Sequence, residues 1–292
     1  MNQNDLTSKF LDSFQSKNTK SSYKSALNDF FRFVSKSLDK ISDKDILNYY
    51  EYLNNKNDYK KQTKELKFNA VRSFFNYLKI EKIKNNKLKL NNINLDYKLK
   101  WKSDSEIFNR DILTIDEIKL VLNYLKRYNF RFYLVFFILA DTGMRVNGLV
   151  NIQISNIDLE NRKIIVYEKG KIRVYTFGNN LKRELVKYIQ MRSIIQTNHN
   201  FLLINKRKNR ERETNVHRIF IKINEIMTNE LNINKKITAH CLRASFKTNR
   251  RDLGQNDSDI EFFLQHNHDY RTTYLRYTDE QRLRKFDEFE ML

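Results

Sequence analysis

The sequence predicts a mainly α-helical protein of two domains, the second of which carries a small antiparallel sheet. Three observations support this prediction. Apolar residues recur at helical spacing along most of the 292 residues. The stretch 83–103 loses that spacing and is rich in Asn and Lys, and it is long for a loop inside one domain. Two strand-like runs, Lys163–Tyr167 and Ile172–Phe177, flank a glycine turn, which is typical of a hairpin.

The first domain is predicted to cover residues 1–85 and to precede a linker at 86–110. A helix is expected over residues 19–36, where apolar side chains fall on one face. A second helix is expected after Ser42, because Asp45 three positions later completes a capping box. A third helix has an apolar face formed by Leu66, Ala70, Phe74 and Leu78. These elements predict a small helical bundle with lysine-rich outer faces.

The second domain is predicted to cover residues 111–292. Its first helix begins at Thr114, which has a glutamate three positions later to complete a capping box. A strongly apolar helix follows around residues 130–140 and ends near Gly143. The hairpin comes next, with Gly170 in its turn. Further helices are expected at roughly 180–196, 214–230, 238–252 and 258–266.

Composition restricts the class of protein. The net charge is +20, and residues 1–102 carry 22 Lys and Arg against 11 Asp and Glu, so both domains are basic. This excess is typical of a protein with a polyanionic partner such as nucleic acid, although the Lys/Asn/Ile bias of an AT-rich genome also explains it. The sequence contains no run of eighteen apolar residues, and no signal peptide is expected. The one cysteine, Cys241, excludes an intramolecular disulfide and a cysteine-based zinc site. We therefore expect a cytoplasmic protein.

Four separated segments carry the candidate functional side chains. The first is Asp141–Arg145 (DTGMR), at the end of the apolar helix. The second is Lys169–Arg173 (KGKIR), at the hairpin. The third is His240–Arg243 (HCLR) on a helix, where a three-residue step puts both end residues on one face. The fourth is Leu264–Tyr277 (LQHNHDYRTTYLRY).

In this order, the segments resemble those of the tyrosine recombinase/integrase family, which includes the Xer-like recombinases. That family has a TGxR segment, a lysine in a β-hairpin, an HxxR pair, a second histidine (or tryptophan) and a tyrosine nucleophile. The resemblance covers nearly the whole chain, because the basic helical domain and the LTIDEI segment at 113–118 also match the family's layout. It implies a SAM-like helical domain that binds DNA, followed by a catalytic domain. Carried onto this sequence, the catalytic residues are Arg145, Lys169, His240, Arg243, His266 and Tyr277.

The resemblance implies that DNA strands are cleaved and rejoined through a 3′-phosphotyrosyl intermediate. The two arginines suit this chemistry, because each guanidinium donates paired hydrogen bonds to phosphate oxygens on which charge develops. Tyr277 would be the nucleophile, and His240 would accept or relay its proton. Lys169 would protonate the departing 5′-oxygen, and His266 would bind the phosphate or position the tyrosine. The covalent phosphotyrosine retains the energy of the broken bond, so resealing needs neither ATP nor a metal.

Two of these positions have neighbours of the same type. Lys171 lies two residues after Lys169, and the place of Lys169 beside the turn glycine favours it. His268 lies two residues after His266, and the apolar helix face before His266 favours the earlier histidine. The family usually has glycine just before this histidine, whereas this chain has Gln265.

The nucleophile and the first arginine also leave questions open. Tyr277 competes with Tyr270 and Tyr274, and the pair of threonines at 272–273 favours Tyr277. The family often has an acidic residue three positions after the first arginine, where it helps to order the site. This chain has Gly148 there. Either a neighbouring carboxylate takes its place, or the site is weakened.

The expected partner is double-stranded DNA, with no cofactor, no small-molecule substrate and no membrane. The expected reaction is integration and excision of a mobile element, or resolution of dimers. A telomere resolvase or a type IB topoisomerase has the same chemistry, and a catalytically weakened or purely DNA-binding protein is the alternative of another class. The nucleophile and arginine pair favour the recombinase.

The last residues, 278–292, have helical spacing and one apolar stripe. This stripe either packs on its own domain or, as the resemblance implies, docks on a neighbouring protomer. The second alternative would build a homotetramer or heterotetramer that holds two DNA sites. The stripe consists of Leu283, Phe286, Phe289 and Leu292.

Overall fold

A computed structural model of the chain describes residues 3–84, 91, 93, 95, 101, 111–168, 170–265 and 277–292. The chain divides into two compact units, Met1–Phe108 and Asn109–Leu292. Both units are mostly helical, and the second contains a three-stranded antiparallel sheet. The predicted fold class is therefore confirmed. Across the described part of the chain, no helix combines the length and the apolar character needed to cross a bilayer.

The first unit is built from helices packed around an aromatic core. Its helices are α1 (Gln3–Asp12), α2 (Lys17–Val34), α3 (Asp43–Asn55) and α4 (Lys61–Lys84), with a 3₁₀ turn at Leu38–Lys40. The capping box predicted at Ser42 is present, since the Asp45 carboxylate accepts from the Ser42 N–H at 2.9 Å. Helix α1 was not predicted, because its short sequence buries only Leu6, Phe10 and Leu11.

Parts of the predicted linker pack on this unit. Ile93 and Leu95 are buried in the same hydrophobic cluster as the helices. The indole of Trp101 packs edge-to-face on the rings of Tyr50 and Phe68, at 4.8 and 5.8 Å between centroids. These apolar residues of the segment therefore add to the first core, a contribution that its Asn/Lys-rich composition did not indicate.

The second unit surrounds the apolar helix α6. Its helices are α5 (Ile115–Tyr128), α6 (Phe130–Thr142), α7 (Val146–Val150), α8 (Asn179–Ser193), α9 (Glu213–Glu230), α10 (Ala239–Asp252), α11 (Asp257–Phe263) and α12 (Asp279–Asp287). A 3₁₀ turn spans Ile154–Asn156. Every α6 residue from Tyr133 to Thr142 is buried, because the helix is apolar nearly all round and needs neighbours on each side.

The sheet lies beside these helices in the order β1–β2–β3. Its strands are β1 (Ile157–Asp158), β2 (Lys163–Glu168) and β3 (Lys171–Thr176). Strands β2 and β3 form the predicted hairpin, with Glu168 paired opposite Lys171. The helical spacing noted over residues 278–292 is realised in α12, which ends at Asp287. Met291 and Leu292 are nevertheless buried against this unit.

Candidate active site

The TGxR segment forms a left-handed turn between α6 and α7. Gly143 has φ +61°, and its N–H donates to the carbonyl of Leu139 at 3.1 Å, which closes α6. A Cβ at this position would lie 2.6 Å from the side chain of Leu264. Glycine is therefore required both for the backbone conformation and for the space. The turn delivers Arg145 to the start of α7 with its side chain 29% exposed.

Arg243 reaches the same turn from α10. Its buried guanidinium donates to the carbonyls of Gly143 and Leu264, both at 2.5 Å. Burial and, to a lesser extent, the positive charge of nearby Arg145 lower the pKa of Arg243 to about 10. Arg243 still remains protonated at neutral pH. Two cations held this close together create a strongly positive site, which suits an oxyanion such as a phosphate.

A buried carboxylate, Glu168 at the end of β2, belongs to the same cluster. Its Oε1 accepts from Nη1 of Arg145 at 3.0 Å, and its Oε2 accepts from the hydroxyl of Tyr175 at 2.9 Å. Burial and the Glu168 charge raise the pKa of Tyr175 to about 12. Sequence reasoning missed Glu168, although Gly148 was the signal that a carboxylate was needed elsewhere.

His240 lies in the first turn of α10, one turn before Arg243. Thr238 caps the start of the helix, since its hydroxyl accepts from the N–H of Cys241, and His240 is exposed. The HxxR pair therefore combines one exposed side chain with one that is buried. Both residues lie on α10, and the packing of this helix buries Arg243 and leaves His240 exposed.

Tyr277 precedes α12, and its hydroxyl donates to the carboxylate of Asp259 on α11. The same carboxylate accepts from Lys285 at 2.8 Å, and the tyrosine ring packs edge-to-face on Phe262 at 5.0 Å. Burial and the neighbouring carboxylate raise the pKa of Tyr277 well above its usual value. Among the described residues, this hydroxyl forms no hydrogen bond with either arginine of the cluster. The phenolate is disfavoured in this arrangement.

Several predicted residues lie outside the described part of the chain. They are Lys169 and His266, together with the alternatives His268, Tyr270 and Tyr274. The alternative lysine, Lys171, is described and exposed at the start of β3. The structure thus brings Arg145 and Arg243 together. The assignments of Lys169 and His266 remain predictions.

Gln265 adopts the backbone conformation that glycine prefers. Its φ is +54°, which is unfavourable for a residue with a side chain. Hydrogen bonds hold it there, since its side-chain amide donates to the Phe262 carbonyl at 2.9 Å and its backbone carbonyl accepts from Arg173 at 2.5 Å. Where the family usually has glycine, contacts with α11 and β3 thus offset the unfavourable backbone conformation of Gln265.

In the described part of the chain, no three His, Cys, Asp or Glu side chains come together as a metal site requires. The thiol of Cys241 is buried.

Family models match both parts of the chain. Residues 111–284, more than half of the chain, match the phage integrase family. Residues 6–85 match the N-terminal SAM-like domain of phage integrases. The two matches follow the order of the two units.

Curated relatives include recombinases of bacteria and archaea. The tyrosine recombinase XerD of Oceanobacillus iheyensis is 29% identical over 86% of this chain and 84% of its own length. The TnP I resolvase of Bacillus thuringiensis is 23% identical over 95% of each chain. For the tyrosine recombinase XerA of Pyrococcus horikoshii, which is 28% identical, the match spans about half of each chain, 53% of this one and 52% of the relative.

Solved structures share the fold at lower identity. A Tn1549 transposon integrase in complex with transposon right-end DNA has a TM-score of 0.71, with 16% identity over 97% of each chain. A XerH site-specific recombinase bound to its difH substrate has a TM-score of 0.68, with 18% identity over 92% of this chain and 76% of that one. Together with the family matches, these findings confirm the resemblance seen in the sequence. The chain belongs to the phage integrase family of tyrosine recombinases, enzymes that cleave and rejoin DNA strands.

Proposed function

We propose that this chain is a site-specific recombinase that exchanges DNA strands through a 3′-phosphotyrosyl intermediate, in integration and excision or in dimer resolution. The observation that carries the proposal is the convergence of Arg145 and Arg243 on the Gly143 turn. Motifs far apart in the sequence supply two guanidiniums to one place, where they can bind the non-bridging oxygens of a phosphodiester.

DNA is the proposed substrate. The relatives XerH and the Tn1549 integrase were solved with DNA bound. The catalytic unit of this chain has a surface groove of about 610 Å³ lined by several cations, and the chain carries a net charge of +20. Such a surface attracts phosphates irrespective of base sequence. The cations of the groove are Arg131, Lys206, Arg207, Arg212 and Arg218.

Roles for the remaining residues follow from the reaction. The oxygen of Tyr277 attacks the phosphorus, and the bond to the 5′-oxygen breaks. His240 takes the tyrosine proton, Lys169 gives a proton to the 5′-oxygen, and His266 contacts the phosphate. The reverse attack by a 5′-hydroxyl reseals the strand and frees the tyrosine, so no external energy source is consumed.

Tyr277 has to change partners for this reaction. Its hydroxyl is bound to Asp259, and burial together with the negative charge of that carboxylate disfavours the phenolate. Moving the hydroxyl from this carboxylate to the phosphate held by Arg145 and Arg243 would place it beside positive charge, which lowers a phenol pKa. We propose that binding of a DNA site accompanies this change.

The test is capture of a covalent protein–DNA adduct from a pool of nicked duplexes of randomised sequence. Adducts that survive a denaturing gel are recovered, their DNA is sequenced, and the attached peptide is identified by mass spectrometry. We expect an adduct on Tyr277 that forms in EDTA and disappears in Tyr277→Phe. Arg145→Ala or Arg243→Ala should slow its formation by about 100-fold or more.

The controls separate the alternatives. Tyr128→Phe, at an exposed position on α5, should leave adduct formation unchanged. An adduct that persists in Tyr277→Phe and is lost in Tyr274→Phe would move the nucleophile to the earlier tyrosine. Retained DNA binding without any adduct would indicate a DNA-binding protein without recombinase activity.

We further propose that four chains assemble on two DNA sites. Exchange between two duplexes requires four strand cleavages, and one nucleophile per chain then requires four chains. The mass of the protein–DNA complex tests this assembly.

A further inference from the structure

We propose that Glu168 is a positioning residue that holds Arg145 in its phosphate-binding orientation, in place of an acidic side chain at residue 148. The inference rests on the proposed function and adds a residue that the motifs do not contain. Its basis is the ion pair of 3.0 Å between Arg145 Nη1 and Glu168 Oε1. The Glu168 side chain is fully enclosed, whereas that of Arg145 is 29% exposed and open to a ligand.

The space around Gly148 supports the inference. This residue lies in α7, one turn after Arg145, and its φ is not in the left-handed region. Glycine within a helix costs about 1 kcal/mol relative to alanine, so backbone conformation does not explain its presence. A Cβ at residue 148 would lie 3.0 Å from Oε2 of Glu168 and 3.6 Å from the side chain of Val166. The carboxylate of Glu168 thus occupies the volume that a side chain at 148 would fill.

Both oxygens of this carboxylate are engaged. One accepts from Arg145, and the other accepts from Tyr175, whose ring is also buried. An enclosed carboxylate with two fixed donors has no access to DNA, so Glu168 neither attacks nor transfers a proton. Its effect passes through Arg145, whose long side chain otherwise has many rotamers.

The charge of Glu168 also offsets the repulsion between the two arginines. Besides burial, the positive charge of Arg145 lowers the pKa of Arg243, and the negative charge of Glu168 acts in the opposite sense. With the carboxylate present, the two guanidiniums can stay close before a phosphate arrives. Without it, Arg145 would turn towards solvent, and the phosphate site would have to assemble anew in each reaction.

The first test is Glu168→Gln, which keeps the shape and removes the charge. On the DNA captured by the wild-type protein, we expect the single-turnover cleavage rate to fall by about 100-fold, with the Kd for DNA changed by no more than about threefold. Glu160→Gln, an exposed position on the turn before β2, is the matched control and should cleave at the wild-type rate. A wild-type rate in Glu168→Gln would overturn the proposal.

The second test moves the carboxylate. In the double variant Gly148→Glu with Glu168→Gly, the new glutamate lies three residues after Arg145 on one helix face, within reach of its guanidinium. We expect the single-turnover cleavage rate of the double variant to lie within about tenfold of the wild-type rate. Gly148→Glu alone places two carboxylates in one volume, so we expect this single variant to cleave more slowly than the double variant. A folded double variant that cleaves DNA no faster than Glu168→Gln or Gly148→Glu would contradict the positioning role.

A third measurement does not require cleavage. Hindered rotation of the Arg145 guanidinium should give separate ¹⁵N NMR signals for its Nη groups, assigned by their loss in Arg145→Lys. We expect these signals in the wild type and the double variant and their averaging in Glu168→Gln. Averaged signals in the wild type would refute the positioning role even if adducts form. Separate signals without any adduct would instead refute the proposed recombinase activity and leave the ion pair standing.

Discussion

At the scale of single residues, the active-site region is built from charges that share a small volume. Arg243 is buried and donates to two carbonyls, one in the Gly143 turn and one at the end of α11. Burial and the positive charge of nearby Arg145 lower the pKa of Arg243. Burying a charge is unfavourable unless hydrogen bonds and an opposite charge compensate for it. Here two carbonyls and Glu168 provide that compensation, which leaves Arg145 as the exposed member of the pair.

Asp141, in the same DTGMR segment, has a separate electrostatic role. Its carboxylate is buried and accepts from the N–H of Gly178 at 2.7 Å. Burial raises the pKa of Asp141 from 3.8 to about 7, partly opposed by the Gly178 hydrogen bond and the charge of Arg250. Between these two pH values, the folded protein keeps a proton that the unfolded chain has released. Folding stability therefore falls as the pH rises from about 4 to 7 and no longer changes through this group above that window.

Asp141→Asn should remove this dependence, because the amide oxygen still accepts from Gly178 and carries no charge. We expect the variant to gain stability relative to wild type by on the order of 1 kcal/mol per pH unit between pH 4.5 and 6.5. Urea unfolding at several pH values measures the difference, with Asp116→Asn at an exposed site on α5 as control. A difference that is independent of pH would show that Asp141 is charged throughout the range.

At the scale of elements, the hairpin and the end of α11 are joined. Arg173 and Val174 of β3 both donate to Gln265, the first to its backbone carbonyl and the second to its side chain. Strand β2 ends in Glu168, which pairs with Arg145. One hairpin therefore contacts both Arg145 and Gln265, the residue before His266. The unfavourable φ of Gln265 persists because these contacts determine it.

The last helix, α12, packs on its own unit. Phe286 is fully buried, with the Arg250 guanidinium 3.9 Å from its ring centroid and the ring of Phe263 at 5.2 Å. The carbonyl of Phe286 also accepts from Arg250 at 3.3 Å. In this structure, the C-terminal stripe therefore follows the first of the two alternatives left open by the sequence.

Phe286→Ala should accordingly destabilise the isolated chain. We expect a loss of about 3–5 kcal/mol in the free energy of unfolding, because a large buried ring leaves a cavity. Phe289→Ala, at a half-buried position, should cost clearly less. Chemical unfolding at two protein concentrations checks this. A loss that grows with protein concentration would mean that Phe286 packs on a second chain.

At the scale of the whole molecule, two basic units are joined in one chain of 35.5 kDa. If four chains assemble on two DNA sites, the protein part of the complex should have a mass of about 142 kDa, four times that of one chain. Mass photometry on the captured DNA measures this value, and on a single site we expect half of it. A complex that stays at one chain per site on paired sites would contradict the proposed assembly.

The sequence by itself determined the helical class, several helix starts and the family. Capping boxes at Ser42 and Thr114, the glycine turn after α6 and the apolar faces are local features, and local features depend on residues a few positions apart. The order of the motifs is likewise readable along the chain. For these reasons the fold class and the family were predicted correctly.

Only the tertiary structure decided which side chains meet. It paired Arg145 with Glu168 and joined the Tyr277 hydroxyl to Asp259. It supplied the hydrogen bond that holds Gln265 in its left-handed conformation. It also placed the C-terminal stripe on its own unit. These contacts join residues from different elements, and their geometry is set by how the helices and the hairpin pack. Sequence spacing carries no information about that packing, which is why a missing carboxylate at Gly148 was visible in the sequence and its replacement was not.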